Sequence, residues 1–164
     1  ALNTFDVHPD ILCIAKGMGG GMPIGCFISS KEKMNHLKEN PKLGHITTFG
    51  GHPVSCAASL ATLQTLIDNK EIISSIEQKE QLFRDHLQHP KIKEIRGKGL
   101  MLAIELGNAE LCNKVVEKCY HKGLITFFFL FTSTAVRISP PLIISKDEII
   151  EACSKIKEIL TEIN

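Results

Sequence analysis

The sequence has little excess charge and no long apolar run, and each absence excludes a class of function. Its 164 residues include 19 lysines and arginines and 18 acidic residues, for a formal net charge of +1. This balance gives no reason to expect nucleic acid or an anionic membrane surface as a partner. The apolar run 124–131 (LITFFFLF) is far shorter than the roughly 18 residues that a membrane-spanning helix needs. We read it as a buried strand or a partner-facing segment.

Paired cysteines and a signal peptide are also missing. None of the six cysteines forms a C-x-x-C pair, which argues against a disulfide framework or a zinc site and favours reduced, buried thiols in a cytoplasmic protein. His86 and His89 have no third ligand placed by the sequence, so we expect no metal. The first residues, ALNTFDVHPDI, lack the basic start and apolar core of a signal peptide. They also lack an initiator methionine, and we expect the sequence to begin within a longer one.

The head of the chain predicts strands around a glycine-rich loop. Ile11–Ala15 (ILCIA) is a short apolar run between turn formers, typical of a buried strand of an α/β sheet. Gly17–Pro23 contains four glycines and predicts a loop. Ile24–Ile28 predicts a second strand, and Ser30 an N-cap for a short helix that reaches about Leu37.

The remaining chain predicts a long helix and then a compact α+β unit. Pro53 opens a helix in which alanines and leucines recur at helical spacing, and Asp68-Asn69 ends it. Residues 1–68 are therefore assigned to part of one domain and residues 69–164 to a second, smaller one. The second contains these predicted elements: helices Glu71–Leu87, Ala109–His121 (ended by Gly123) and Lys146–Ile163 (capped by the Ser145/Glu148 box), and strands Ile92–Ile95, Leu100–Leu106 and Leu124–Phe131.

Lys16 closes the first strand and precedes the glycines, a position at which α/β proteins build their sites. A lysine in a partly dry site loses part of its preference for the charged form, and its neutral amine can attack a carbonyl to form an imine. The alternative is a solvated lysine that starts a flexible loop. Nucleotide fingerprints do not explain the glycines: Gly97-Lys98 is followed by Gly99, not by Ser or Thr, and Met22 stands where a dinucleotide loop needs glycine.

A second glycine-containing stretch, Gly44–Pro53 (GHITTFGGHP), carries two adjacent hydroxyl groups. Thr47 and Thr48 can donate hydrogen bonds to phosphate oxygens. The alternative is a turn in which these hydroxyls bond the local backbone.

Four blocks in order along the chain make the sequence resemble the C-terminal part of a class III aminotransferase, a family that uses pyridoxal 5′-phosphate (PLP). The first is Pro9-Asp10 followed, after the apolar run, by Lys16–Gly25 (KGMGGGMPIG). The others are His45–Pro53, Ile95–Met101 (IRGKGLM) and Arg137–Leu142 (RISPPL). Within the family, the sequence resembles the acetylornithine and ornithine aminotransferases. Cys26 and His52 stand where the family usually has alanine and asparagine.

The resemblance implies an α/β fold: the C-terminal portion of the type I, aspartate-aminotransferase-like PLP-dependent transferase fold, with part of the large domain and an α+β small domain. It implies that Lys16 forms the imine (Schiff base) with PLP and then shuttles a proton. Thr48 corresponds to the threonine that binds the cofactor phosphate from the neighbouring subunit of a homodimer. Arg137 corresponds to an arginine that binds the substrate carboxylate; its alternative is a structural ion pair. Arg96 is assigned no role and is expected in a turn, 96–99, between two strands.

The implied activity is transfer of the ω-amino group of an ornithine-type amino acid (acetylornithine, ornithine or 4-aminobutyrate) to 2-oxoglutarate. In the family, the aspartate that pairs with the cofactor's pyridine nitrogen and the glycine turn that holds its phosphate lie upstream of the lysine, and neither is found here. We therefore expect a fragment, inactive alone, of an enzyme with its active site at a subunit interface. Two alternatives stay open: a non-catalytic domain, and an aminomutase of the same family.

Overall fold

The computed structural model describes residues 2–163, apart from the side chain of Asn3. The chain divides into two compact units, Ala1–Asn69 and Lys70–Asn164, called here the first and the second unit. No helix in the described part of the chain has both the length and the apolar character needed to cross a membrane.

The first unit combines a two-stranded sheet with helices. In chain order its elements are α1 (Leu2–Phe5), β1 (Ile11–Ala15), a 3₁₀ turn (Lys16–Gly19), β2 (Gly25–Ser29), α2 (Lys31–Asn35), a second 3₁₀ turn (His36–Lys38) and α3 (Pro53–Asp68). The prediction of β1, of a strand near 24–28 and of a helix start at Pro53 is confirmed. The first three residues of the predicted loop, 17–19, belong to a 3₁₀ turn that starts at Lys16.

The strands β1 and β2 pair antiparallel, with Ala15 opposite Gly25 and Ile11 opposite Ser29. The prediction that 11–15 is a buried strand is wrong: its residues alternate between exposed and half-buried. The two strands form a sheet by themselves within the described residues, and no side chain of β1 is buried there. An apolar run therefore predicted the strand but not its burial.

Two helices of the first unit begin at the residues that the sequence predicts. The Ser30 side chain accepts a hydrogen bond from the Lys33 backbone N–H at 3.3 Å and so caps α2. Helix α3 begins with proline at its first position, where the missing N–H costs nothing. Its apolar residues surround the helix, and Leu60 and Ile67 are exposed.

The second unit has a four-stranded antiparallel sheet covered by helices. Its elements are α4 (Lys70–Ser74), α5 (Ile76–His86), β3 (Glu94–Lys98), β4 (Met101–Glu105), α6 (Ala109–His121), β5 (Phe127–Phe129), β6 (Thr132–Ile138) and α7 (Lys146–Glu162). The strand order is β3-β4-β6-β5. The last strand along the chain, β6, therefore lies between β4 and the edge strand β5.

One face of this sheet holds the core. Leu102 and Ile104 of β4 lie opposite Ile138 and Val136 of β6, and all four side chains are buried. They join buried residues of the helices, among which the largest are Phe83, Ile149, Ile159 and Leu160. Because side chains alternate along a strand, the residues between them, Ala103 and Arg137, lie on the opposite face.

Four second-unit elements differ from the predictions. The helix predicted over 71–87 is broken at Ser75 into α4 and α5. The strand predicted at 92–95 lies at Glu94–Lys98, and that predicted at 124–131 shortens to Phe127–Phe129. Strand β6 was not predicted at all. Its sequence, TSTAVRI, places β-branched threonine, valine and isoleucine at alternate positions, and it pairs with β4 on one side and β5 on the other.

The predicted ends of the last two helices are correct. Ser145 and Glu148 form a capping box at the start of α7, with the Glu148 carboxylate accepting from the Ser145 N–H at 2.8 Å. After α6, Gly123 adopts a φ of +74°, and Leu124 donates its N–H to the Cys119 carbonyl. This left-handed glycine ends the helix as the sequence predicts.

Candidate active site

Lys16 lies directly after β1 and begins the 3₁₀ turn. Its φ of +56° is in the left-handed region, which a residue with a side chain adopts only at a cost of about 1 kcal/mol. The side chain is exposed, and within residues 2–163 its ammonium group has no hydrogen-bond or ion-pair partner. A strained backbone thus presents a free amine at the end of a strand, a combination found at functional sites.

The glycines after Lys16 have two different roles. A Cβ at Gly20, whose φ is +57°, would lie 2.2 Å from the Thr62 hydroxyl oxygen of α3, so only glycine lets the loop approach this helix. Gly21, with a φ of +99°, has no atom within 4 Å of the same position. One glycine therefore packs the loop against α3, and the next leaves open space beside the backbone.

Thr48 lies in the turn region that precedes α3 and is exposed. The backbone turns around it are closed by Gly50, which donates its N–H to the Thr47 carbonyl at 3.1 Å, and by His52, which donates to Phe49 at 3.2 Å. In the described part of the chain the Thr48 hydroxyl makes no hydrogen bond, and none joins it to Lys16. His52 opens α3 without a side-chain cap and lies 6.4 Å, centroid to centroid, from the Phe49 ring.

Arg137 lies in the second unit, on the central strand β6, with Ala103 opposite it on one side and Phe127 on the other. Its guanidinium carbon is 5.4 Å from the centre of the Phe127 ring, a cation–π distance. The Thr126 hydroxyl donates to the Arg137 backbone carbonyl at 2.5 Å. The Arg137 Nε is buried and has no hydrogen-bond partner among residues 2–163, and the alternative of a structural ion pair finds no acidic partner there.

A cavity of about 370 Å³ opens beside Arg137. Its walls come from α5, β5, β6, the segment after β6 and α7, and Arg137 is its single charged lining residue. Small-molecule sites commonly have this composition, a mostly apolar wall with few polar groups. The cavity is lined by Phe83, Leu124, Ile125, Thr126, Phe127, Arg137, Ile138, Ser139, Pro140, Pro141, Ile144, Ala152 and Ile156.

A buried carboxylate that the sequence did not single out, Glu80 on α5, organises the third sequence block. It accepts hydrogen bonds from Arg84, at 2.9 and 3.1 Å, and from the Gly99 N–H at 2.6 Å. Arg84 also donates to the carbonyls of Ile95 and Gly97. Burial opposes the charged form of Glu80, but the bonds from Gly99 and Arg84 and the charge of Lys98 outweigh it and lower its pKa. The one feature of the sequence that could have indicated this ion pair is the i,i+4 spacing of Glu80 and Arg84 on a helix.

The predicted turn 96–99 is shifted. Arg96, Gly97 and Lys98 belong to β3, and the turn begins at Gly99. Gly97 has a φ of +120°, and a Cβ there would lie 2.2 Å from the Met101 carbonyl oxygen, which explains the glycine within a strand. Arg96 makes an ion pair with Glu105 at 2.9 Å.

The strand-end lysine, the open glycine turn and the arginine in an apolar cavity agree with one class of protein. The family model described as "Aminotransferase class-III" matches residues 1–160, and the chain belongs to this family. It is 35% identical to the acetylornithine aminotransferase of Caldanaerobacter subterraneus subsp. tengcongensis, covering 97% of this chain and 40% of the relative. It is 36% identical to the putrescine aminotransferase of Pectobacterium atrosepticum, covering 100% of this chain and 36% of the relative.

Solved structures confirm the fold. An ornithine aminotransferase from Toxoplasma gondii, whose title reports partial occupancy of PLP at its active site, is matched with a TM-score of 0.84 at 32% identity, over 97% of this chain and 38% of that one. An aminotransferase from Bacillus anthracis is matched with a TM-score of 0.86 at 31% identity, over 99% of this chain and 41% of that one. The chain thus spans about two fifths of the length of the relatives it matches. Its fold is that predicted, the C-terminal portion of a PLP-dependent transferase.

Proposed function

We propose that the chain is the C-terminal part of a PLP-dependent aminotransferase that moves a terminal amino group from an ornithine-type amino acid or a related amine to 2-oxoglutarate. The observation that carries the proposal is the exposed, unpartnered amine of Lys16 in a left-handed turn at the end of β1. The named relatives support the donor class, because they are acetylornithine and putrescine aminotransferases.

The residues present fit PLP. The cofactor carries an aldehyde, which calls for a free amine, and a phosphate, which calls for hydrogen-bond donors; when bound, it supplies an electron sink for the substrate carbon. Lys16 offers the amine, and the open side of Gly21 leaves room beside it. Thr48 offers a hydroxyl that no described residue engages, as a phosphate donor requires.

In this proposal the chain's own residues divide the work. The Lys16 amine would hold the cofactor through its aldehyde and would carry a proton to and from the substrate carbon. Thr48 binds the phosphate across the interface of a homodimer, so that each site is shared by two copies. Arg137 binds the substrate carboxylate through its planar fork of N–H donors.

The test uses the full-length protein, the Lys16→Ala variant and a control variant, Lys31→Ala, which removes an exposed lysine at the start of α2. Lys16→Ala should abolish conversion of 2-oxoglutarate to glutamate with acetylornithine, ornithine, 4-aminobutyrate and putrescine as donors, whereas Lys31→Ala should keep it. After borohydride reduction, mass spectrometry should find the mass of the cofactor on the peptide that contains Lys16. Turnover retained by Lys16→Ala would remove this residue from the mechanism.

The same assay separates the alternatives. A non-catalytic domain predicts that neither the full-length protein nor the 164-residue chain retains PLP after reduction. An aminomutase predicts that the amino group moves within the donor and that no glutamate is formed. We expect glutamate from the full-length protein and none from the 164-residue chain.

A further inference from the structure

Lys16 lies between two fixed points of the first unit. On its N-terminal side, Ala15 is paired in the ladder of β1 and β2. On its C-terminal side, the 3₁₀ turn is closed by a hydrogen bond from the Gly20 N–H to the Gly17 carbonyl at 3.2 Å. Only the four residues 16–19 separate the strand from Gly20. Whatever holds Gly20 therefore also limits the backbone angles that Lys16 can adopt.

Helix α3 holds Gly20 through a close contact. A Cβ placed on Gly20 would lie 2.2 Å from the Thr62 hydroxyl oxygen and 3.4 Å from the Ala58 carbonyl oxygen, so the backbone of the turn lies directly against the helix. The Thr62 hydroxyl is itself fixed, because it donates to the Ala58 carbonyl at 2.9 Å. The surface that Gly20 contacts is therefore rigid: one backbone carbonyl and one side chain bonded to it.

The side chains on this face of α3 are small. Ser55, Ser59 and Thr62 are four and three residues apart and so share one face of the helix. The two serines are the buried residues of α3. Small side chains on a helix and a glycine opposite them let two backbones approach closely, which is what a helix that holds a turn requires.

The φ angle of Lys16 decides the direction in which its side chain leaves the strand. Because Ala15 is fixed in the ladder, rotation about the N–Cα bond of Lys16 moves both its Cβ and the chain that follows. The observed φ of +56° is in the left-handed region, which is unfavourable for a lysine and persists only where the surrounding structure holds it. A turn released from α3 would let Lys16 return to a negative φ, and its amine would then point elsewhere.

We propose that Thr62 is a positioning residue. Fixed by the Ala58 carbonyl, it holds Gly20 against α3 and so keeps Lys16 in the left-handed conformation that directs its amine to the cofactor. The inference rests on the proposed function for the role of the amine, and it adds the residue that sets the direction of that amine. The Gly20–Thr62 contact itself lies within the first unit and does not require the cofactor.

The test is a double-mutant cycle on the full-length protein with Gly20→Ala, Thr62→Ala and the two combined. The methyl group that Gly20→Ala adds overlaps the Thr62 hydroxyl, and Thr62→Ala removes that hydroxyl and leaves the Cβ of residue 62 at 3.6 Å, an ordinary contact distance. The measured quantity is the PLP concentration that gives half-maximal trapping on the Lys16 peptide by borohydride. Gly20→Ala should raise it about tenfold or more, and adding Thr62→Ala should recover at least about threefold of that loss.

Thr65→Ala is the matched control. Thr65 lies three residues further along α3 and makes the same kind of bond, to the Ala61 carbonyl at 2.8 Å, but it is not among the atoms nearest to Gly20. Thr65→Ala should leave trapping unchanged and should not rescue Gly20→Ala. Because general losses of stability add, rescue by Thr62→Ala alone identifies the contact. Additive losses in the double variant, or equal rescue by Thr65→Ala, would overturn the proposal.

Hydrogen exchange of the cofactor-free full-length protein tests the contact without PLP. Thr62→Val keeps the shape of the side chain and loses its bond to Ala58, and it should speed exchange in a peptide that covers residues 16–22 about two- to tenfold. Thr62→Ser, which keeps the hydroxyl, and Thr65→Val should leave this exchange unchanged.

The two measurements separate the positioning role from the proposed function. If the wild type traps no PLP on Lys16, the proposed function fails, and the exchange rates alone decide whether Thr62 holds the turn. If the wild type traps PLP and Thr62→Val exchanges at the wild-type rate, Thr62 does not hold the turn and the proposed function stands.

Discussion

The two units of the chain differ most in what they bury. Every buried apolar side chain in the described residues belongs to the second unit, from Phe83 to Ile163. The buried residues of the first unit are Gly19 and two serines of α3, Ser55 and Ser59. Both units have well-formed hydrogen-bonded elements, so the difference lies in packing and not in secondary structure.

This difference places the apolar core and the residues proposed to hold the cofactor in different units. Burial of apolar surface is the main term that offsets the conformational entropy of an ordered chain. The second unit has such a core, whereas the first exposes Ile28, Leu60 and Ile67. Lys16 and Thr48, the residues assigned to the cofactor, therefore lie in the unit without an apolar core, and Arg137 lies in the unit that has one.

The largest expected effect is a core truncation in the second unit. Leu102 on β4 is 0% exposed, and Leu102→Ala should lower the free energy of unfolding by about 2–5 kcal/mol, because it removes buried methyl groups and leaves a cavity. The matched change in the first unit, Leu63→Ala in α3, starts from a side chain that is 46% exposed and should cost no more than about 0.5 kcal/mol. Urea denaturation followed by far-ultraviolet circular dichroism measures both. Equal losses would show that α3 belongs to a shared core.

A smaller effect is expected at Glu80. Glu80→Gln keeps the shape but removes the charge that Arg84 and the Gly99 N–H bind, and it should destabilise the second unit by about 2 kcal/mol at neutral pH. Because folding lowers the pKa of Glu80 from its ordinary value of 4.5, its contribution is present above that value and is lost as the pH falls. The difference between the wild type and Glu80→Gln should therefore shrink below about pH 4.5. A difference that stays constant down to acid pH would contradict the role of the charge.

The smallest effect is expected at the helix N-caps. Each unit has one helix capped by a serine side chain. Ser145→Ala removes the cap of α7, a helix of 17 residues that packs on the core, and should lower stability by about 1 kcal/mol. Ser30→Ala removes the cap of α2, which has 5 residues and no buried side chain, and should leave the main unfolding transition where it is. The urea midpoints of the two variants give the comparison. A shift with Ser30→Ala would place α2 in the same cooperative unit as α7.

Local signals predicted much of this fold. The helices α3, α6 and α7 were predicted from periodicity, proline at the first position, a capping box and a left-handed glycine, all of which act within a few residues. The limits of β3 and β5 could not be found in this way, because pairing with β4 and with β6, respectively, decides them. The exposure of β1 was missed for the same reason, since burial depends on neighbours that are remote in sequence. Strand β6 has a local signal that was missed, β-branched residues at alternate positions.

The residues of the candidate site could also be predicted only in part. Lys16, Thr48 and Arg137 could be proposed from motif blocks, which record residue identity. The position of the Phe127 ring beside the Arg137 guanidinium depends on the register of β5 against β6. The sequence of β5, three consecutive phenylalanines, does not specify which of them lies opposite Arg137. A role for Glu80 could not be predicted, because a carboxylate on a helix is ordinarily solvated. Its hydrogen bond from the Gly99 N–H joins residues that are remote in sequence.

The cysteines divide evenly between the two units, three in each, and all are free. Burial raises the pKa of the Cys119 thiol to about 11 and that of the Cys153 thiol to about 12, so these groups hold almost no reactive thiolate while the core is closed. Cys13 and Cys56, in the first unit, are exposed. An alkylating reagent would thus label the exposed cysteines of the first unit in the native state and those of the second unit only when its core opens, so the rate of second-unit labelling measures how often that core opens.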